Sequence, residues 1–218
     1  SSNNASINLT IDEDKNKGFF GKFMAGGGTD ERYESSALVN YFKNKRKISV
    51  LASSNNINAT GFSMDEIYDN MSGSRNNSFY TSSDGSFGLN GMRFGGNKGI
   101  THSNLVGINY SDEPFKNFNN SASYFYAGAD SSNKNRTNQI NFLPDGNFTT
   151  NSESDSKEDK YSHNLNMELE YKIDSTASFV IVPKFAKSNT QSVTNSREQS
   201  LDEANQLLNE STSFATNE

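Results

Sequence analysis

DKYSHNLNMELEYKIDSTASFVIVPKFAKSN, residues 159–189, is the stretch whose reading decides the fold. From Asn164 to Lys172 it alternates without a fault: Leu165, Met167, Leu169 and Tyr171 fall on one side, and Asn164, Asn166, Glu168, Glu170 and Lys172 on the other. A period of two is the signature of a β-strand with one apolar and one polar face. A short turn at Asp174 to Thr176 returns the chain into a second alternating run, in which Ala177, Phe179, Ile181, Pro183 and Phe185 share a face. Each arm runs to about ten residues or more, well beyond the five or six of an ordinary soluble strand, and long enough to cross an apolar membrane core at a tilt of ~45°. The hairpin therefore reads as part of a transmembrane β-barrel.

Working outward, the same alternation recurs. Five further strands are expected at 18–28, 31–42, 47–58, 100–111 and 119–130; with the two arms at 161–173 and 176–189 they make seven. The aligned outward residues include Ala37, Val39 and Tyr41; Ile48, Val50 and Ala52; Val106, Ile108 and Tyr110; and Ala122, Tyr124 and Tyr126. Short connections at 43–46, 112–117 and 174–176 alternate with long polar ones at 60–99, 131–160 and from 190 onward. Outer-membrane barrels have short periplasmic turns and longer external loops, which is this pattern. Tyr41, Tyr110 and Tyr171 each stand as the last outward residue before a short turn, where an apolar ring with a polar tip suits a membrane interface. The polar set Asn164, Asn166, Glu168, Glu170 and Lys172 is then expected to face a lumen. LPDGN at 143–147 is a turn signal and predicts a projecting hairpin.

Composition agrees with a chain that needs no large water-excluding core. Of its 218 residues only 32% are hydrophobic, and the mean hydropathy is −0.81. With no Cys, disulfides and thiolate metal sites are excluded, and a net charge of −6 argues against a nucleic-acid surface. One short stretch has a different period. In 63–71, Ser63 and Glu66 have capping-box spacing, and Met64, Ile67, Tyr68 and Met71 recur at helical intervals, so one short loop helix is expected. The glycines of GSFGLNGMRFGGNKG match no phosphate-loop pattern, and no GxSxG, HExxH or EF-hand sequence occurs. His102 and His163 stand alone, and the carboxylate pairs Asp65/Glu66, Asp112/Glu113, Glu158/Asp159 and Asp202/Glu203 fall in turns or caps. The sequence carries no catalytic constellation and calls for no cofactor.

Several segments also have a familiar look. ERYESSALVNYFKNKRKISVLASSNNINATGFSMDEIYDN, GINYSDE, NRTNQINFLPDGNFTTNSES and ELEYKIDSTAS together resemble the outer-membrane β-barrel family of TonB-dependent receptor-like proteins. The similarity extends over nearly the whole chain from about Ile7. It implies that residues 1–17 end a plug or junction segment and that 18–218 form the N-terminal part of the barrel. It also implies a plug domain and TonB system as partners, outer-membrane lipid around the barrel, and uptake of an unspecified solute. The expected fold is thus all-β: an antiparallel meander of long transmembrane strands, a partial, open outer-membrane β-barrel with one short loop helix, from a longer precursor. A barrel-anchored surface protein that binds a partner without active transport is the alternative.

Overall fold

The computed structural model describes residues 16–59, 61–63, 66, 79–82, 86–89, 92–94, 99–144 and 146–217. The expected junction at 1–17 falls almost entirely outside them.

Long alternating runs joined by tight turns leave the chain one economical arrangement, in which each strand pairs with the one before it. The strands are β1 (Lys17–Gly27), β2 (Tyr33–Lys43), β3 (Arg46–Asn55), β4 (Phe79–Thr81), β5 (Phe87–Leu89), β6 (Met92–Phe94), β7 (Ile100–Phe115), β8 (Phe118–Asn141), β9 (Phe148–Lys172), β10 (Ser178–Ile181), β11 (Lys184–Leu201) and β12 (Leu207–Asn217). Nine of them build one antiparallel sheet in the order β1-β2-β3-β7-β8-β9-β11-β12, with β10 also on β9. The sheet is open, since β1 and β12 stand at opposite ends of this order. Antiparallel meander architecture is therefore present, and a closed barrel is not.

The turns follow from residue type. Asn44, Asn117 and Asn205 have positive φ, a conformation that asparagine tolerates because its short side chain can bond locally. At the hinge of the opening hairpin, Asp174 Oδ1 accepts hydrogen bonds from Thr176 N at 2.7 Å, Thr176 Oγ1 at 2.8 Å and Ala177 N at 2.9 Å. These bonds favour the charged carboxylate and hold its pKa below the ordinary value of 3.8. A depressed carboxylate contributes stability that is complete above its unfolded pKa and is lost as pH falls through the folded one. Acidification below about pH 4 should therefore lower the protection of the Ala177 amide relative to its intrinsic exchange rate at the same pH. Asp174→Ala should show the lowered protection already at neutral pH, with no further loss on acidification.

Three expectations change in detail. The arm at 176–189 is not one strand: Pro183 has no N–H to give a ladder, so the chain breaks between β10 and β11, although Met167 N still donates to Pro183 O at 3.0 Å. The projecting hairpin expected at LPDGN is present, but its arms are full continuations of the neighbouring strands: β8 and β9 stay in register from Phe118↔Tyr171 out to Asn141↔Phe148. Finally, the seven expected strands become eight along the main path. The chain after Asn189 continues β11 to Leu201, turns through Asp202, and returns as β12. The far edge of the sheet thus belongs to β12 beside the upper half of β11, and only the lower part of β11 lies at an edge.

The 60–99 connection carries a separate three-stranded sheet, β4-β5-β6, which periodicity did not announce. Of the expected loop helix, Ser63 and Glu66 show the reciprocal cap: Glu66 N donates to Ser63 Oγ at 3.2 Å, and Ser63 N to Glu66 Oε2 at 2.9 Å. Met64, Ile67, Tyr68 and Met71 lie outside the described residues.

Candidate functional site: the two faces of the sheet

Residues directly opposite on neighbouring strands share a face, so the register sorts every side chain. One row, Phe19–Tyr41–Ile48–Tyr110–Ala122–Met167, runs across β1, β2, β3, β7, β8 and β9. The next row up is Gly21–Val39–Val50–Ile108–Tyr124–Leu165–Phe185, and above it comes Phe23–Ala37–Ala52–Val106–Tyr126–His163–Lys187. Below Met167, Leu169 pairs with Ile181, and Tyr171 with Phe118 and Phe179. These rows form one continuous apolar face, here called outer. Phe19, Phe23, Tyr41, Val50, Ile108, Tyr171, Phe179, Ile181 and Phe185 on it are all exposed.

Tyr41, Tyr110 and Tyr171 do share this face. At its lower edge Tyr110 Oη donates to Asp112 Oδ2 at 2.9 Å, and Arg46 Nη2 approaches the same oxygen at 2.8 Å, so the phenol's polar tip is held among charged groups. A second set of tyrosines bounds the upper edge: Tyr126 on β8, already expected to face outward, with Tyr33 on β2 and Tyr161 on β9, which the sequence reading passed over. Tyr161 and Tyr171 are ten residues apart on one strand, about 34 Å along it, or ~24 Å in height at a 45° tilt. On β2 and β9 the signal was present as a second tyrosine about one strand-length from the first. His163 sits among these rings, with Tyr124 Oη 2.8 Å from its Nδ1 and the Tyr126 and Tyr161 ring centres at 5.0 and 5.6 Å. His102 lies opposite Asp130 and beside Tyr33. Among the described residues no group of His, Asp and Glu is arranged to hold a metal ion.

The opposite, inner face holds Asn164, Asn166, Glu168, Glu170 and Lys172, as alternation requires, but their surroundings differ. Asn164 and Asn166 are only 6% and 8% exposed, so they do not stand in open solvent. Glu168 and Glu170 line a cleft of about 260 Å³ with Lys45, Glu113, Ser111 and Asn119. Within it Asn119 Nδ2 donates to Glu170 Oε2 at 3.1 Å, and Lys45 Nζ lies 3.3 Å from Glu113. Lys172 stands exposed at the strand end.

A small apolar core also occupies the inner face. Leu38, Leu51, Leu105 and Phe125 are buried there, with Ala127 and Ala129 above them. Gly107 makes room, since a Cβ at that position would lie 2.5 Å from Phe125 Cε1 and 3.0 Å from Leu51 Cδ1. The start of the β3–β7 connection closes over part of this face. Gly61 packs against Ser53 and Ser36, and Glu66 meets Lys22 Nζ at 2.5 Å. The Lys22 hydrogen bond and the Ser63 N–H hold the Glu66 carboxyl below its ordinary range.

Above the upper tyrosines, β8, β9, β11 and β12 continue as a four-stranded blade. β9 alone runs 13 residues past Tyr161, about 44 Å along the strand. Its outer face carries cross-strand ion pairs, Arg136–Glu153 at 2.7 Å and Arg197–Glu210 at 2.6 Å. Its inner face is an array of Ser, Thr and Asn, among them Asn135, Ser154, Ser196 and Ser213, which stand opposite one another. No family model, no curated protein and no solved structure matches the chain.

Proposed function

We propose that this chain is a run of barrel strands from an outer-membrane protein of the TonB-dependent receptor-like kind, serving uptake of a solute across the outer membrane. The observation that carries the reading is the outer face: a continuous apolar band with tyrosines at both ends, about as tall as the ~25 Å apolar belt of such barrels. In this reading lipid covers the outer face, further strands pair with the open edges, and the inner face lines the barrel interior. The plug domain and the TonB system are the partners that the family resemblance supplies, and the blade projects outside the cell.

The chain has no tryptophan, so a single introduced one reports depth without interference. In vesicles of lipid brominated at mid-chain, Leu165→Trp should be strongly quenched, Tyr161→Trp and Tyr171→Trp weakly, and Asn195→Trp on the blade not at all. Equal quenching at all four positions would remove the membrane reading.

The blade favours a second reading, a barrel-anchored surface protein that binds a partner without active transport. Uptake by cells that survives trimming of β8, β9, β11 and β12 to the level of Tyr161 supports transport. Loss of surface binding with no uptake in either form supports the alternative.

A further inference from the structure

After Asn55 the chain does not leave the sheet outward. The Asn55 side chain, on the inner face, donates from Nδ2 to Ala59 O at 2.8 Å, and its Oδ1 accepts from Ala59 N at 3.1 Å and Ile57 N at 3.3 Å. These bonds curl residues 55–59 over the top of β3. Asn58 and Gly61 both have positive φ, which completes the reversal. The chain then descends the inner face. Gly61 lies so close to Ser53 that a Cβ would sit 2.7 Å from the serine Cβ, and Phe62 is 8% exposed. Glu66 reaches Lys22, which belongs to the next row down, Lys22–Leu38–Leu51–Gly107–Phe125. The described residues of this segment therefore pass from the Ser36/Ser53 row to the Leu38/Leu51 row, over three strands.

We infer that residues 61–63 together with Glu66 are a resident occupant of the inner face, a strap that lies over β1, β2 and β3 and is latched to β1 by the Lys22–Glu66 ion pair. Its charge chemistry makes it releasable. Lys22 is half exposed and Glu66 is mostly covered, so the pair is open to salt at its lysine end. The Debye length falls to about 3 Å at 1 M salt, short enough to weaken such a contact. The packing of Gly61 and Phe62 positions the strap, and the ion pair sets how readily its lower end lifts. In a barrel, the strap would narrow the interior on the β1–β3 side and open under ionic control. The placement itself does not depend on the membrane reading, because it stands on contacts within the sheet.

The test uses the absence of cysteine. Ser53→Cys, beneath Gly61, gives the full 218-residue chain in detergent micelles a single thiol, whose alkylation by a bulky maleimide reports lifting of the strap. Reaction should be slow at low salt and severalfold faster at 1 M NaCl. An exposed ion pair is worth up to a factor of about five, and reversal adds repulsion, so Lys22→Glu or Glu66→Lys should speed alkylation up to about tenfold. Combining both reversals should restore the slow rate, which a mere loss of folding would not do. A fast rate in every form would show that nothing covers Ser53. A slow rate unaffected by salt and by either reversal would show that the ion pair latches nothing. If the single variants do not fold, the salt series on the Ser53→Cys chain decides alone.

Discussion

Replacing Met167 by arginine is expected to cost about 2–4 kcal/mol in stability when the chain is inserted in lipid. Met167 lies on β9 one residue from the midpoint between Tyr161 and Tyr171, so on that strand its side chain faces the middle of the apolar band. A guanidinium there would have hydrocarbon around it and no partner in its row. The control is Glu168→Arg on the neighbouring residue, which points into the polar cleft beside Glu113 and Glu170 and should cost far less. Asn166 is a poorer control, because burial would make a larger side chain costly there on packing grounds alone. Denaturant midpoints of the three forms in vesicles measure both effects. Equal losses at Met167 and Glu168 would mean that the outer face is not the lipid face.

Truncation of Phe125 to alanine should be at least as damaging, about 3–5 kcal/mol, and for a different reason. Phe125 is 1% exposed on the inner face, seated over Gly107 and against Leu51. Removing the ring leaves a cavity between three strands whose backbones are fixed by their ladders, so little can collapse into it. Because this core is independent of lipid, the loss should be similar in detergent and in vesicles. The Met167→Arg loss should instead be largest in lipid. Comparing the two variants in both media separates packing within the sheet from burial in a membrane.

The strands themselves were legible because a face that is apolar throughout imposes a period of two that no turn or helix mimics. Alternation from Asn164 to Lys172 put Leu165, Met167, Leu169 and Tyr171 on one face of β9, and the short turns at Asn44, Asn117 and Asp174 announced themselves by residue type. What alternation could not give was the length of β8 and β9 beyond the apolar band. There both faces are polar, the pattern loses contrast, and only pairing with a neighbour of equal length keeps the chain extended. The same blindness hid β12.

Sequence by itself therefore determined the class of fold, the order of the strands and the division of side chains between two faces, since each of these is a local property of period and turn. Tertiary structure alone decided what the inner face is. Leu38, Leu51, Leu105 and Phe125 occur in runs such as Ala37-Leu38-Val39 and Tyr124-Phe125-Tyr126, where apolar residues fall on both faces and period two has no preferred phase. Their joining into one core depends on four strands being brought side by side, with Gly107 leaving space for a ring from the next strand. The cover over β1 to β3 likewise depends on a contact between Lys22 and Glu66, 44 residues apart in the chain. Pairings at that separation are set by where the sheet carries the two segments, and no local pattern contains them.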